Sequence, residues 1–325
     1  MLLHPLRSLR TVTATTLTPT QQRALDELMA KGQDRPEFPV DLAPRLRDRL
    51  EEGLADVADR LGDGELVVTK RDLAQVHQCE RLFMAGLGTF EWSPMAARGS
   101  VVHKALEISM GIGAVELPPG HLVDLAIDRL AEAERGVAEF LAHADPVEQA
   151  ELRIAATDMV SKFVDEFPPL KTRWRPRVES SLSAHLCEGR VLLRGKVDLA
   201  LGQPVGTTAR VLIVDFKTGR PVSAHTDDLR FYALLETLRV GVPPFRVASW
   251  YLDSGQSHPE DVTEELLLAA ARRVVDGVRT LVELRVEKRS ATWRPCSSCG
   301  FCPDRGQCDG ALAWEELRAQ RGLDV

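Results

Sequence analysis

Apolar positions recur at helical spacing through the first half of the chain, at alternate positions in the middle, and at helical spacing again towards the end. TPTQQRALDELMA (18–30) predicts a helix, with Thr18 as N-cap and Pro19 at its first position. DLAPRLRDRLEEGLADVADRLG (41–62) predicts a second, amphipathic and charged on its outer face. Residues 69–88 predict a helix carrying Cys79. Residues 97–111 predict another, with His103 and Glu107 one turn apart on one face. Long, charged, periodic segments at 119–143 and 146–166 predict two more.

The period then changes to two. RVESSLSAHL (177–186), the turn CEGR (187–190) and VLLRGKVDLAL (191–201) predict a β-hairpin. RVLIVDFKTG (210–219) predicts a third strand, ended by Gly219 and Pro221, and FRVASWYLD (245–253) a fourth. Between these two lies a helix at 227–241, stopped by Gly241 and two prolines; a last long helix follows at 263–288. This order predicts an α/β core with a mixed central sheet flanked by helices. Residues 1–65 carry no visible chemistry and read as a helical N-terminal appendage to a domain spanning 66–325.

Composition narrows the setting. The 325 residues are 44% hydrophobic, with no apolar run near the ~20 residues of a membrane span. The start has arginines but no continuous apolar stretch after them, so no signal peptide and a cytoplasmic location are expected. In a reducing compartment clustered cysteines are metal ligands rather than disulfides, and four of the six cysteines fall in CSSCGFCPDRGQC (296–308). The formal net charge of −7 confines any nucleic-acid surface to a local patch. LKTRWRPRV (170–178) is the best such patch: Lys171, Arg173, Arg175 and Arg177 flank Trp174 and can pair phosphates while the indole stacks a base. A solvated linker is the plainer reading of the same segment.

Alternation in VLIVDFKTG puts Asp215 and Lys217 on one face of a strand whose first half is apolar on both faces. Asp198, between Val197 and Leu199, sits on a neighbouring, largely buried strand. Charges in such places are paired or bound to a metal. Two carboxylates at adjacent strand ends suit magnesium or manganese, and a lysine beside them can orient the attacking water and stabilise a pentavalent phosphorus. An ordinary Asp–Lys ion pair fits the isolated motif too. Glu179 lies on the hairpin partner of the Asp198 strand, and His103 among apolar helix positions.

Together these residues resemble the RecB-like branch of the PD-(D/E)xK nuclease superfamily. That branch has a helix with GxxxH, strands with GxxD and DxK, and a helix with QxxxY. Here they read GSVVH (99–103), GKVD (195–198) and DFK (215–217). The fourth, DLRFY (228–232), keeps Tyr232 but has Asp228 in place of glutamine. The resemblance implies a restriction-endonuclease-like core in which His103, Asp198 and Asp215 are metal ligands and Lys217 is catalytic. Glu179 fits by position a glutamate common on the preceding strand, and Tyr232 a DNA-facing helix.

An iron–sulfur subset of the branch, including AddB and CRISPR-associated RecB-like nuclease domains, takes one cysteine from before the nuclease motifs and three, spaced C-x₂-C-x₅-C, from after them. Cys79, Cys299, Cys302 and Cys308 match that arrangement. The resemblance therefore implies a 4Fe–4S cluster joining the two ends of the fold. A zinc site made by Cys296, Cys299, Cys302 and Cys308 is the alternative, and Cys187 is a bystander. The expected activity is a Mg- or Mn-dependent deoxyribonuclease, exonucleolytic or end-processing, preferring single-stranded DNA. No Walker motif is present in the sequence, so a helicase or other repair or defence subunit is the expected source of any unwinding. A catalytically silent DNA-binding scaffold and a nuclease acting on RNA are the rival readings.

Overall fold

A computed structural model describes residues 16–87, 92–111, 117–133 and 135–321. The N-terminal stretch whose composition argues against a signal peptide lies outside them over residues 1–15, as does Gly88. The helices are α1 (Pro19–Leu28), α2 (Leu42–Gly53), α3 (Ala55–Leu61), α4 (Lys70–Gln78), α5 (Glu80–Ala85), α6 (Pro94–Met110), α7 (Pro119–Ala133), α8 (Arg135–His143), α9 (Pro146–Glu166), α10 (Ser223–Val240), α11 (Glu264–Arg285) and α12 (Asp309–Arg321). The strands are β1 (Leu66–Thr69), β2 (Arg177–Leu186), β3 (Val191–Leu201), β4 (Leu212–Lys217), β5 (Arg246–Tyr251) and β6 (Gln256–Asp261).

The strands form one mixed sheet in the order β1-β3-β4-β5-β6, with β2 pairing the other edge of β3. One face packs under α2, α4, α10 and α11, where Leu42, Leu46 and Leu50 of α2 meet Val274 and Val278 of α11. The other packs under α1, α6, α7 and α9, with Phe163, Phe167, Phe216 and Trp250 stacked edge to face or in parallel at its centre. This is the mixed α/β sheet between helical layers that the pattern predicts. Among the described residues no helix is long and apolar enough to cross a membrane.

The hairpin falls where the alternation places it, and α1 begins with Thr18 and Gln21 in a reciprocal cap. Several elements depart from expectation: the helix predicted over 119–143 is two, α7 and α8, and α12 is not predicted. The helix predicted over 41–62 breaks at Leu54. Nearby α11 packs so closely that a Cβ on Gly53 would lie 2.7 Å from Val275. The helix predicted over 69–88 breaks at Cys79, which is extended (φ −165°, ψ 119°). Two strands were not legible: β1 is only 4 residues long, and β6 is a polar edge strand containing Pro259.

The position of β1 creates a notch in the sheet. It runs parallel to β3 and pairs with Val191–Arg194, whereas β4 runs antiparallel and pairs with Leu199–Leu201 on the same edge. Gly195–Asp198 is left between them, and the C-terminal ends of β1 and β4 both point into the gap.

Candidate active site

Strands β2, β3 and β4 and helices α4, α6 and α10 deliver charged side chains to this notch. The β3–β4 register, continued by one step, would set Asp198 opposite Asp215, but the ladder stops at Leu199↔Val214. The Asp198 carboxylate instead accepts the backbone N–H of Phe216 at 2.7 Å. Across β2 the same register sets Glu179 opposite Asp198; Glu179 has φ 49°, a left-handed conformation costly for a non-glycine residue. The hairpin changes face at this pair. Leu182, Ala184, Val191, Leu193 and Val197 face the α10–α11 layer, whereas Val178, Leu199 and Leu201 face the α6–α9 layer.

The site has two halves. On the α6 side, His103 Nδ1 lies 3.3 Å from Asp198 Oδ1. His103, Glu179 and Asp198 each present a ligand atom, all within 4.8 Å of one another. Glu179 also pairs with Lys196. Burial opposes a charge on His103, but Asp198 outweighs it and raises the imidazole pKa. Burial and the neighbouring Asp198 raise that of Glu179 against the pull of Lys196. Two crowded carboxylates and one imidazole make an oxygen-rich donor set that suits a hard divalent cation. These residues fit the metal that the sequence motifs imply.

On the α10 side, Asp215 is 2% exposed and lies 2.5 Å from Lys217 Nζ through Oδ2. That oxygen has no aligned hydrogen bond. Lys70, the first residue of α4, reaches Asp215 Oδ1 at 3.3 Å and Asp228 Oδ2 at 3.6 Å, and lies 5.0 Å over the Tyr232 ring. Lys217 and Asp228 are 3.4 Å apart. Burial works against ionising Asp215, yet Lys70 and Lys217 hold its carboxyl below the ordinary range. Burial also opposes a charge on Lys70, but Asp215, helped by Asp228, overcomes it and raises its pKa, so the ammonium stays charged. The halves meet at Phe216, whose N–H binds Asp198 and whose neighbours in sequence are Asp215 and Lys217.

Of the two motif glycines, Gly195 acts through packing. A Cβ on Gly195 would lie 2.9 Å from Tyr232 and 3.1 Å from Leu235, so α10 can close on the sheet only over glycine. A Cβ on Gly99 would lie 3.5 Å from Thr218 Oγ1, an ordinary contact, so packing does not demand glycine there.

His103, Asp198 and Glu179 come together; Asp215 and Lys217 lie beside them but are engaged with Lys70 and Asp228. Tyr232 is buried against Gly195 and Lys70. Arg177 turns inward and pairs with buried Glu236 at 2.5 Å, helped by Arg239. Arg173 and Arg175 are exposed, Arg175 bonded to Gln203, and Lys171 lies over the Trp174 ring. Lys70 was not found from the sequence, where 145 residues separate it from Asp215.

Cys79, Cys296, Cys299, Cys302 and Cys308 line one small cavity beneath α12. The Cys296 and Cys299 sulfurs are 3.9 Å apart, and burial pushes the Cys296 thiol up to about 11. Polar contacts lock the segment around Cys79 to the C-terminal one. Arg81 pairs with Asp304 at 2.9 Å, Arg289 with Glu80 at 2.9 Å, and Ser298 donates to Gln78 at 3.2 Å. Cys187 is buried elsewhere, its sulfur 3.6 Å from the Leu54 carbonyl oxygen.

A family model for the PD-(D/E)XK nuclease superfamily matches residues 68–309. The chain belongs to that superfamily. Among solved structures it is similar to SSO0001, at 14% identity over 82% of this chain and 95% of that one, with a TM-score of 0.36. It is also similar to a candidate exonuclease from Eubacterium rectale, at 11% identity over 81% of this chain and 91% of that one, with a TM-score of 0.44. No curated protein matches the sequence.

Proposed function

We propose that the chain is a RecB-like, Mg- or Mn-dependent DNA nuclease, exonucleolytic or end-processing and preferring single strands, with its nuclease domain over residues 66–325. The observation that carries this reading is the convergence of His103, Glu179 and Asp198 beside Asp215 and Lys217 in the notch between β1 and β4. His103, Glu179 and Asp198 would hold the cation, with Asp215 alongside. When bound, the cation supplies charge neutralisation at the phosphoryl oxygens and a water of lowered pKa.

The chain's own groups do the rest. His103 and the Phe216 N–H fix the Asp198 carboxylate from two sides. Asp215 and Asp228 hold the Lys217 ammonium at the mouth of β4, where it can stabilise charge developing on a pentavalent phosphorus. A full set of charged side chains argues against a silent scaffold. The cysteine cavity supports a 4Fe–4S cluster on Cys79, Cys299, Cys302 and Cys308, with thiolate ligands on both ends of the fold.

The test is a cleavage panel with anaerobically purified protein. Labelled single-stranded DNA, duplex DNA and RNA are incubated with Mg, Mn or EDTA, and the products are resolved by length. Metal-dependent loss of single-stranded DNA from an end is the expected result. Preferential RNA cleavage, or no cleavage with either metal, overturns the reading.

A further inference from the structure

We infer that Lys70 is the substrate-facing cation of the site and takes a non-bridging oxygen of a phosphodiester in the bound strand. This rests on the nuclease reading above. The α10 half holds two lysines and two aspartates, and the lysines differ in access. The Lys217 side chain is 12% exposed and lies between Asp215 and Asp228, whereas that of Lys70 is 32% exposed. Lys70 contacts the same carboxylates at the longer distances of 3.3 and 3.6 Å. An ammonium carries three donors, so it can add a phosphate oxygen without leaving Asp215.

Two further observations aim it. Lys70 follows directly on β1, whose end points into the notch holding Asp198 and Asp215. Its backbone is fixed by a reciprocal cap, in which Asp72 accepts from Thr69 N at 2.9 Å and Thr69 Oγ1 accepts from Asp72 N at 3.3 Å. Lys70 and Asp228 also line a cleft of about 190 Å³ between α4, α10 and α11, together with Leu73, Ala74 and Val274.

The experiment measures anisotropy of a fluorescein-labelled single-stranded oligonucleotide with the full chain in EDTA across a salt series. Steady-state cleavage with Mn and thermal melting accompany it. Removing one phosphate partner should reduce the slope of log affinity against log salt by about 0.7. Lys70→Ala is expected to show that reduction and a KM raised about tenfold, with kcat less affected and the melting temperature near wild type. Lys70→Arg should restore the slope. Lys70→Met with Asp228→Asn removes a charge of each sign and covers the case in which Lys70→Ala misfolds; it too should lose the increment. Wild-type slopes in both would overturn the assignment of Lys70 and leave the nuclease reading standing. A wild-type chain that neither binds nor cuts the oligonucleotide would overturn the nuclease reading and the Lys70 assignment together.

Discussion

Asp198 accepts the Phe216 N–H at 2.7 Å where the β3–β4 ladder would otherwise have paired Asp198 with Asp215. A side chain has taken a hydrogen bond from the backbone of the neighbouring strand. The two strands part there, and the parting opens the notch into which His103, Glu179 and Lys70 reach. Asp215 and Lys217 on one side and Asp198 on the other are thereby tied through one peptide unit.

Asp215→Asn and Lys217→Ala should each lower cleavage by about a hundredfold or more, as removal of a preorganised transition-state interaction does. The asparagine keeps the shape of the buried side chain but takes a counter-charge from Lys70 and Lys217, so melting should fall while single-stranded DNA binding is retained. Retention of wild-type cleavage in both variants would sink the assignment of this notch as the catalytic site.

Gly195→Ala should destabilise the fold by about 1–3 kcal/mol, the usual range for overpacking a filled core. The new methyl would meet Tyr232 at 2.9 Å and push α10, with Asp228, away from Lys217. Chemical denaturation measures the loss. The companion Tyr232→Phe should not relieve it, because the clash is with ring carbons; relief would place the strain elsewhere.

Metal analysis on two cysteine variants separates the cluster from a zinc site. With a 4Fe–4S cluster the purified protein is brown and carries iron, Cys79→Ser loses both, and Cys296→Ser keeps them. With zinc on the C-terminal four, Cys79→Ser keeps its metal, Cys296→Ser loses it, and the protein is colourless. Iron retained in Cys79→Ser but absent from Cys296→Ser would mean that the C-terminal segment holds a cluster alone.

The arginines of 170–178 should divide by role. Replacing exposed Arg173 and Arg175 by alanine should flatten the salt dependence of DNA binding, by about 0.7 in slope for each phosphate left unpaired. Arg177→Ala should instead cost about 1–3 kcal/mol of stability, because Glu236 is 1% exposed and would keep only Arg239. An unchanged slope in the double variant would place the DNA path elsewhere.

His225 makes stability depend on pH. Burial, with Lys217 adding to it, pushes the imidazole from its ordinary 6.5 down to about 4, and the ring is bonded to the Tyr251 hydroxyl at 2.9 Å. A pKa lowered by folding contributes stability that is fully present above 6.5 and is lost as pH falls towards 4. His225→Phe cannot titrate. Melting temperatures at pH 8, 6.5, 5 and 4 should therefore fall more steeply for the wild type than for the variant. Parallel curves would show that His225 does not titrate out of a buried neutral state.

The hairpin, β4, β5 and the long helices were legible because each carries its period within one contiguous segment. Asp198, Asp215, Lys217 and His103 were legible because charge stands out where the pattern demands burial. The GxxD glycine was legible only as a motif letter; its cause, the Tyr232 ring 2.9 Å from the missing Cβ, comes from α10. Lys70 was invisible for a deeper reason. Nothing in TKRD distinguishes it from a solvated helix start, and its partner lies 145 residues away. It reaches the site only because β1, too short to announce itself, pairs with one half of a β3 edge whose other half belongs to β4. The same holds for Arg177, which reads as a surface base until α10 sets Glu236 beneath it. Local periodicity determines elements and singles out buried charges. Which charges meet is decided by strand pairing between distant segments, and that pairing depends on packing energies spread over the whole sheet.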